Sequence, residues 1–363
     1  MIKLLTYHDI DQQQWQQLIE CSPYATWFQT PEAYAFYASL PEEMTPFAVG
    51  VVEECKAPQW AHPGSDLKVL NDLKNSSRDR LVGIIVGYIT REKNPLKQFF
   101  TRRAIIVGGP SLAEDISDEA LAALLKAVRG MESNCQSPIA NRPIYIETRN
   151  FHDYSLWKSV FESAGFAYKE HYDIHVHCNA DHQMSERRQR ELKRAIKNGA
   201  EIIEAQSEQQ IRDWYQILSQ LYREKVRTPL FSEEFFLRFY RNGVGKYLLV
   251  KHQGKVIGGM MSPILPGKAI YEWYVCGQDE EYRELSPSVV ATHAAIEYAK
   301  KNGLPLFDFM GAGVPDVPYG VREFKREFGG EMVEYGRFLC IRKPLLYKIG
   351  QIGVKLLKNM KQK

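Results

Sequence analysis

The densest run of chemistry-bearing residues lies late in the chain, in Leu306-Phe-Asp-Phe-Met-Gly-Ala-Gly-Val-Pro-Asp-Val-Pro-Tyr-Gly-Val-Arg-Glu-Phe-Lys-Arg-Glu-Phe-Gly-Gly330. An apolar strand ends at Met310, and Gly311 and Gly313 let the backbone turn sharply where a ligand could approach it. In α/β sheets ligands sit beyond the carboxyl ends of the strands. Asp308 interrupts the apolar run, so it either faces a polar cleft or is a buried carboxylate with a partner. Phe324 and Phe328 are one helical turn apart and read as packing. Lys325 falls on a different face, where it is either solvated or aimed at the cleft.

Other candidate chemistries are weaker. His171, His175 and His177 suggest a metal cluster, and on a strand His175 and His177 would share a face. No carboxylate or thiol at ligand spacing completes the set, so no metal is expected. Cys276, after Glu272-Trp-Tyr-Val, reads as a core cysteine with no accompanying base. The six cysteines are scattered without a C-x-x-C pair, a pattern that suits reduced thiols in a cytoplasm. There is no Walker A sequence and no Gly-x-Gly-x-x-Gly after a strand, so neither ATP nor NAD is implied and no cofactor is expected.

The elements that must position these residues repeat. In the first half, Thr30 can cap a helix that starts at Pro31. Strands are expected at Pro46–Glu53, Arg80–Arg91, Arg103–Val107 and Pro143–Thr148, with helices at Ser117–Glu132 and Asp153–Ala164 and a further strand after Gly165. Cys55–Asp79 reads as a long polar loop. In the second half, helices are expected at Ser185–Asn198, Ser207–Glu224, Ser232–Arg241, Pro287–Asn302 and Tyr319–Phe328. Its strands are Lys246–His252, Val256–Pro263, Ala269–Cys276, Leu306–Phe309 and Glu331–Ile341. The correspondence of the halves implies a duplication at about half the chain length. Each half is expected to be a mixed, twisted sheet flanked by helices, an α/β fold of the α+β type. The domains are 1–180, 181–342 and a terminal helix over 343–363.

A chain of 363 residues, 44% hydrophobic and 25% charged, suits two globular domains. The net charge of +3 conceals an uneven distribution. Residues 342–363 hold seven basic and no acidic residues, and 187–197 carry +5, which leaves −9 elsewhere. Such basic segments can meet phosphates or anionic lipid, or be solvated helix faces. In the last of them Leu345, Ile349, Ile352, Leu356 and Met360 recur at helical spacing, an amphipathic pattern suited to a membrane surface, to tRNA or to packing on the protein. The N-terminus reaches a charge before any long apolar stretch and does not read as a secretion signal.

Several segments, in order, resemble the Fem family of peptidoglycan cross-bridge aminoacyltransferases. Asp-Phe-x-Gly, the Gly/Pro-rich loop and Tyr-Gly-Val-Arg-Glu-Phe-Lys-Arg-Glu-Phe-Gly resemble the family's C-terminal signature. Gln29-Thr-Pro-Glu-Ala-Tyr-Ala-Phe-Tyr37, Arg102-Arg-Ala-Ile-Ile-Val-Gly-Gly-Pro110 and Arg187-Arg-Gln-Arg-Glu-Leu-Lys-Arg-Ala-Ile-Lys-Asn-Gly199 are similar to earlier family segments. The resemblance implies tandem GNAT-like domains and transfer of an amino acid from aminoacyl-tRNA to an amine of a muramyl-pentapeptide, UDP-linked or lipid-linked. The chain resembles the smaller members without a helical arm, which favours the soluble acceptor. It also implies a transfer site at Phe324 and Lys325, Lys325 stabilising the oxyanion and Phe324 positioning it. Arg227, with Arg223 and Arg322 as rivals, is expected to bind phosphate, and Asp308, Tyr319 and Arg322 complete the expected substrate-binding set. Peripheral contact with the inner membrane face is expected through 343–363. An ordinary GNAT enzyme holds acetyl-CoA on an Arg/Gln-x-x-Gly-x-Gly loop at a helix start. The corresponding Arg283-Glu-Leu-Ser-Pro-Ser288 lacks both glycines, which disfavours acetyl-CoA. The alternatives are an N-acyltransferase with another donor and an amine acceptor such as a surface-polysaccharide sugar, or a non-catalytic protein that binds an anionic ligand.

Overall fold

The computed structural model describes residues 1–54, 79–92, 95–130, 142–178 and 183–360; most of the expected loop at 55–79 lies outside them. The chain forms two compact units, Met1–Lys169 with Arg337–Lys363, and Glu170–Gly336.

The first unit contains β1 (Ile2–Thr6), α1 (Gln12–Cys21), α2 (Pro31–Ala38), β2 (Met44–Glu54), β3 (Asp79–Thr90), α3 (Pro95–Thr101), β4 (Ala104–Gly108) and β5 (Ser111–Leu112). It continues through α4 (Asp118–Gly130), β6 (Tyr145–Asn150), α5 (Lys158–Ser163) and β7 (Ala167–Lys169). Thr30 accepts from the Ala33 N–H as the cap of α2, with Pro31 in its first turn. Leu121, Leu124, Leu125 and Val128 bury one face of α4 against the sheet. At the turn after β4, a Cβ on Gly108 (φ 83°) would collide with the Thr26 side chain, so only glycine fits.

The second unit contains β8 (Tyr172–His177), α6 (Glu186–Lys197), β9 (Glu201–Glu204), α7 (Glu208–Leu221), α8 (Glu233–Arg241), β10 (Gly245–His252) and β11 (Lys255–Leu265). Then follow β12 (Ala269–Tyr271), β13 (Tyr274–Gly277), α9 (Pro287–Lys301), β14 (Leu306–Asp308), α10 (Gly320–Arg326) and β15 (Glu331–Glu334). The chain returns to the first unit with β16 (Arg337–Ile341) and α11 (Pro344–Met360).

The two sheets share one plan. The first runs β1-β2-β3-β4-β6-β16-β7 and the second β9-β10-β11-β12-β14-β8-β15, with β5 on β3 and β13 on β11. β4 is parallel to β6, and β12 is parallel to β14. The duplication read from the sequence is therefore present, but the boundary near residue 180 is not where the chain divides. The sixth place in each sheet is filled from the other half of the sequence: β8 enters the second sheet and β16 the first. The single strand expected at 331–341 is accordingly two strands in different sheets. Gly336, at φ 62°, makes the turn between them. Alternating side chains show that a segment is a strand but carry no record of which open edge it joins.

Candidate active site

The parallel pair β12 and β14 meets in register, Tyr271 beside Asp308. One residue later it parts. The Glu272 N–H still donates to the Asp308 carbonyl at 2.9 Å, but Trp273 donates to Met261 and β13 turns away to pair with β11. This divergence breaks the expected strand 269–276 in two and opens the sheet at the carboxyl ends of β12 and β14, where a ligand is expected. Glu272 and Asp308 stand at the fork, both buried.

After Asp308 the chain crosses β8, with Phe309 donating to Ile174 O and Ala312 to Tyr172 O. Met310 (φ 56°) and Gly311 (φ 122°) take left-handed conformations there. Lys325, from α10, reaches under this loop. Its ammonium donates to Phe309 O at 2.7 Å and Gly311 O at 2.9 Å and pairs with Glu272 Oε1 at 2.9 Å. An ammonium has three protons, so all of them have partners. Lys325 is 8% exposed; the solvated reading does not apply to it.

A second charged group completes the cluster. Asp173 and His175 share a face of β8, and the pairing of β8 with β14 puts His175 opposite Asp308. His175 Nε2 lies 3.4 Å from Asp308 Oδ2, long for a hydrogen bond, and neither atom makes one. Asp308 Oδ1 accepts from Met310 N at 2.6 Å. Asp173 Oδ1 accepts from Ile174 N at 2.7 Å and Gly311 N at 2.6 Å. Of the two readings of Asp308, the structure shows the buried, paired one, so its expected place against substrate becomes one behind the loop.

Burial disfavours the His175 imidazolium, but the adjoining Asp308 and then Asp173 outweigh it and raise the group to about 9. Burial, with Asp308 beside it, pushes the Asp173 carboxyl well above the usual carboxylate range. Burial also raises Glu272, against the opposing pull of Lys325. Three carboxylic groups and two basic ones share this cluster, and the upward shift of Asp173 is in the direction that relieves the crowding of negative charge.

Asp173, His175 and Asp308 also offer three ligand atoms within 4.8 Å of one another, an arrangement compatible with a metal ion. Reading the histidines alone misses it. The available signal is Asp173, two residues before His175 and hence on the same strand face; Asp308 arrives only through sheet pairing.

Phe324 is half-buried against the core of the second unit, with the Arg188 guanidinium 4.4 Å over its ring, and its ring packs on Phe328 at 5.3 Å. Arg188 is itself buried and ion-paired to Glu191 and Glu327. Arg187, Arg190 and Arg194 also pair with carboxylates, so much of the charge on α6 is answered within its own unit. Arg322 clamps the loop from the other side through Ala312 O, at 2.8 Å, and Val314 O, its guanidinium over the Tyr172 ring. Val314, Val317, Tyr319 and Val321 are exposed. The loop thus has an ionic inner side and an apolar outer one. The structure brings Lys325, Phe324, Asp308, Tyr319 and Arg322 around this one loop. Arg227 is not joined to them by any hydrogen bond or ion pair among the described residues; it is exposed, at φ 57°, with Nε donating to Glu224 O at 3.1 Å.

At the start of α9, where a coenzyme A pyrophosphate would seek free N–H groups, Asp279 is already in place. Its carboxylate accepts from both the Ser288 N–H, at 3.0 Å, and the Ser288 hydroxyl. A built-in anion at that end adds to the missing glycines as an obstacle to a coenzyme A pyrophosphate there.

The profile of the acetyltransferase (GNAT) domain family matches residues 185–326, which hold α6 to α10. No curated protein matches the chain in sequence. Among solved structures, FemX superposes with a TM-score of 0.64 at 12% identity, covering 96% of this chain and 99% of that one. A tandem GNAT protein from the clavulanic acid biosynthesis pathway gives 0.50 at 11% identity over 93% and 98%. L-PGS from Bacillus licheniformis gives 0.50 at 13% identity over 74% and 85%. The fold is that of a Fem-like tandem GNAT protein.

Proposed function

We propose that the chain is an N-acyltransferase that moves an amino acid from aminoacyl-tRNA to an amine of a muramyl-pentapeptide, at the fork between β12 and β14. The observation that carries this reading is the pairing of a GNAT-type fork with an α9 N-terminus capped by Asp279. The fold favours acyl transfer, and the cap disfavours coenzyme A as the carrier. Similarity to FemX over nearly the whole of both chains supports the choice of donor and acceptor.

In the proposed reaction the acceptor amine attacks the ester carbonyl of the donor. The C–N bond forms, the C–O bond to the tRNA ribose breaks, and the amine proton leaves with the ribose hydroxyl. Negative charge gathers on the carbonyl oxygen, where a preorganised cation in a dry site lowers the barrier by several kcal/mol. Lys325 supplies that cation through the field of its charge, its three protons being already held by Phe309 O, Gly311 O and Glu272. Its hydrogen bonds to Phe309 O and Gly311 O tie the charge to the loop facing the substrate. Phe324 and Arg188 brace α10 against the core, and Tyr319 and Arg322 shape the rim. Arg227 is retained as a candidate contact for donor or acceptor phosphate.

The test is transfer of radiolabelled amino acids from a charged tRNA pool to UDP-linked muramyl-pentapeptide by the purified protein. Labelled peptide is the expected product, and single tRNAs would then identify the amino acid. Transfer from acetyl-CoA instead, or no transfer to either the soluble or the lipid-linked acceptor by folded protein, would overturn the reading.

A further inference from the structure

The proposed reaction leaves one surface of the first unit unexplained. α11 is anchored through Tyr347, whose ring meets Tyr145 edge-on at 5.4 Å, and it packs beside α3. With Tyr347 turned inward, positions 345, 349 and 352 fall on the outer face of the helix. Leu345 is 78%, Ile349 53% and Ile352 59% exposed, and α3 contributes the exposed Phe99 and Phe100. Five large apolar side chains on two adjacent helices are more than scattered surface hydrophobics.

The two helical segments are basic in sequence, although Glu92, whose N–H donates to Gln98 of α3, and Glu147, close to Tyr347, stand beside them. Residues 342–363 hold seven basic and no acidic residues, and the sequence from Lys93 through Lys97 and Arg102 to Arg103, which spans α3, contains no acidic residue. Lys348 is exposed one turn from Leu345 and Ile352. α6 is different, since its arginines have carboxylate partners close by. No helix among the described residues is long and apolar enough to cross a membrane.

We propose that α11 and α3 form a docking face for the surface of an anionic lipid bilayer. Leu345, Ile349, Ile352, Phe99 and Phe100 enter the headgroup boundary, and the lysines meet lipid phosphates. Two other occupants fit less well. A nucleic-acid backbone would use the basic charge but gives exposed aliphatic side chains nothing to pack on. A second copy in a two-fold contact would bring two strongly basic faces together. The inference does not depend on which donor or acceptor the fork uses.

The test is cosedimentation of the full-length protein with vesicles of phosphatidylcholine alone or mixed with phosphatidylglycerol, at low and at raised salt. Binding to the anionic vesicles that weakens with salt is expected, with little on phosphatidylcholine alone. Ile349→Glu/Ile352→Glu should weaken it about tenfold or more by removing two apolar contacts and adding two repelled charges. Circular dichroism should show the fold retained, and transfer to a soluble acceptor should be unchanged. Wild-type protein that ignores anionic vesicles, or a double variant that binds them equally well, would overturn the proposal. So would salt-sensitive binding to uncharged tRNA, or self-association, that the same substitutions abolish while vesicle binding persists.

Discussion

Lys325→Met should lower transfer by about a hundredfold or more and should also destabilise the fold by about 3–5 kcal/mol in urea titrations. The two effects have separable origins. Stability is lost because methionine removes the only cation paired with Glu272 among the described residues, leaving a carboxylate buried at the fork, with Oε2 already lacking a partner. It is lost too because Phe309 O and Gly311 O forfeit a charged donor. Adding Glu272→Gln removes the unpaired charge, so Lys325→Met/Glu272→Gln should recover much of the stability and none of the rate. Lys325→Arg is a further discriminator. A guanidinium keeps the charge but cannot place three protons on the same oxygens from the same depth, so it should retain more stability than activity. If the double variant were as unstable as the single one, Glu272 and Lys325 would not be an interacting pair. If Lys325→Met turned over like the wild type while folded, the cation would have no part in transfer.

This arrangement shows what a one-dimensional reading can and cannot reach. That Phe324, Lys325, Tyr319 and Arg322 lie near one loop is legible because they belong to one continuous segment whose glycines mark a turn at the end of a buried strand; a role for Phe324 and Lys325 in transfer is what the family resemblance implies. The capping of α2 by Thr30, the apolar stripe of α4 and the loss of the pyrophosphate loop before α9 are legible for the same reason: each is a local pattern. Glu272 is hidden because it sits among Tyr271, Trp273 and Tyr274, and an isolated carboxylate in an apolar run does not announce its partner. Asp173 and His175 are visible without Asp308, which the pairing of β8 with β14 brings to them from more than a hundred residues away. The exchange of β8 and β16 between sheets is illegible too, since a strand's alternation is the same whichever edge it joins. The burial of Lys325 follows from these long-range facts. Without Glu272 and the loop carbonyls, a lysine on a short helix reads as solvated.

The same buried cluster fixes the expected response to pH. His175 goes from an ordinary value near 6.5 in the unfolded chain to about 9 in the fold. A group whose value is raised on folding stabilises the protein fully below its unfolded value, and that contribution is lost as pH climbs through the folded one. Folding stability should therefore fall between pH 6.5 and 9, by about 3 kcal/mol at most from this residue. Asp173 acts in the same direction. Burial and Asp308 raise its carboxyl well above the usual carboxylate range, where it ionises in the unfolded chain. Its part of the decline thus begins at lower pH and continues upward, so the two losses reinforce rather than cancel. Urea titrations at about pH 6, 7.5 and 9 measure the slope directly. In His175→Asn the imidazolium is gone, so the fall from pH 6.5 to 9 should flatten even though stability below that window is lower. A variant with the wild-type slope would show that the proton lost in that window belongs to another group. Because Asp308 O accepts from Glu272, and Asp308 Oδ1 from Met310 in the loop that Lys325 holds, loss of the His175 charge should loosen the fork itself. Transfer should then decline over the same pH interval as stability, and lose that dependence in His175→Asn.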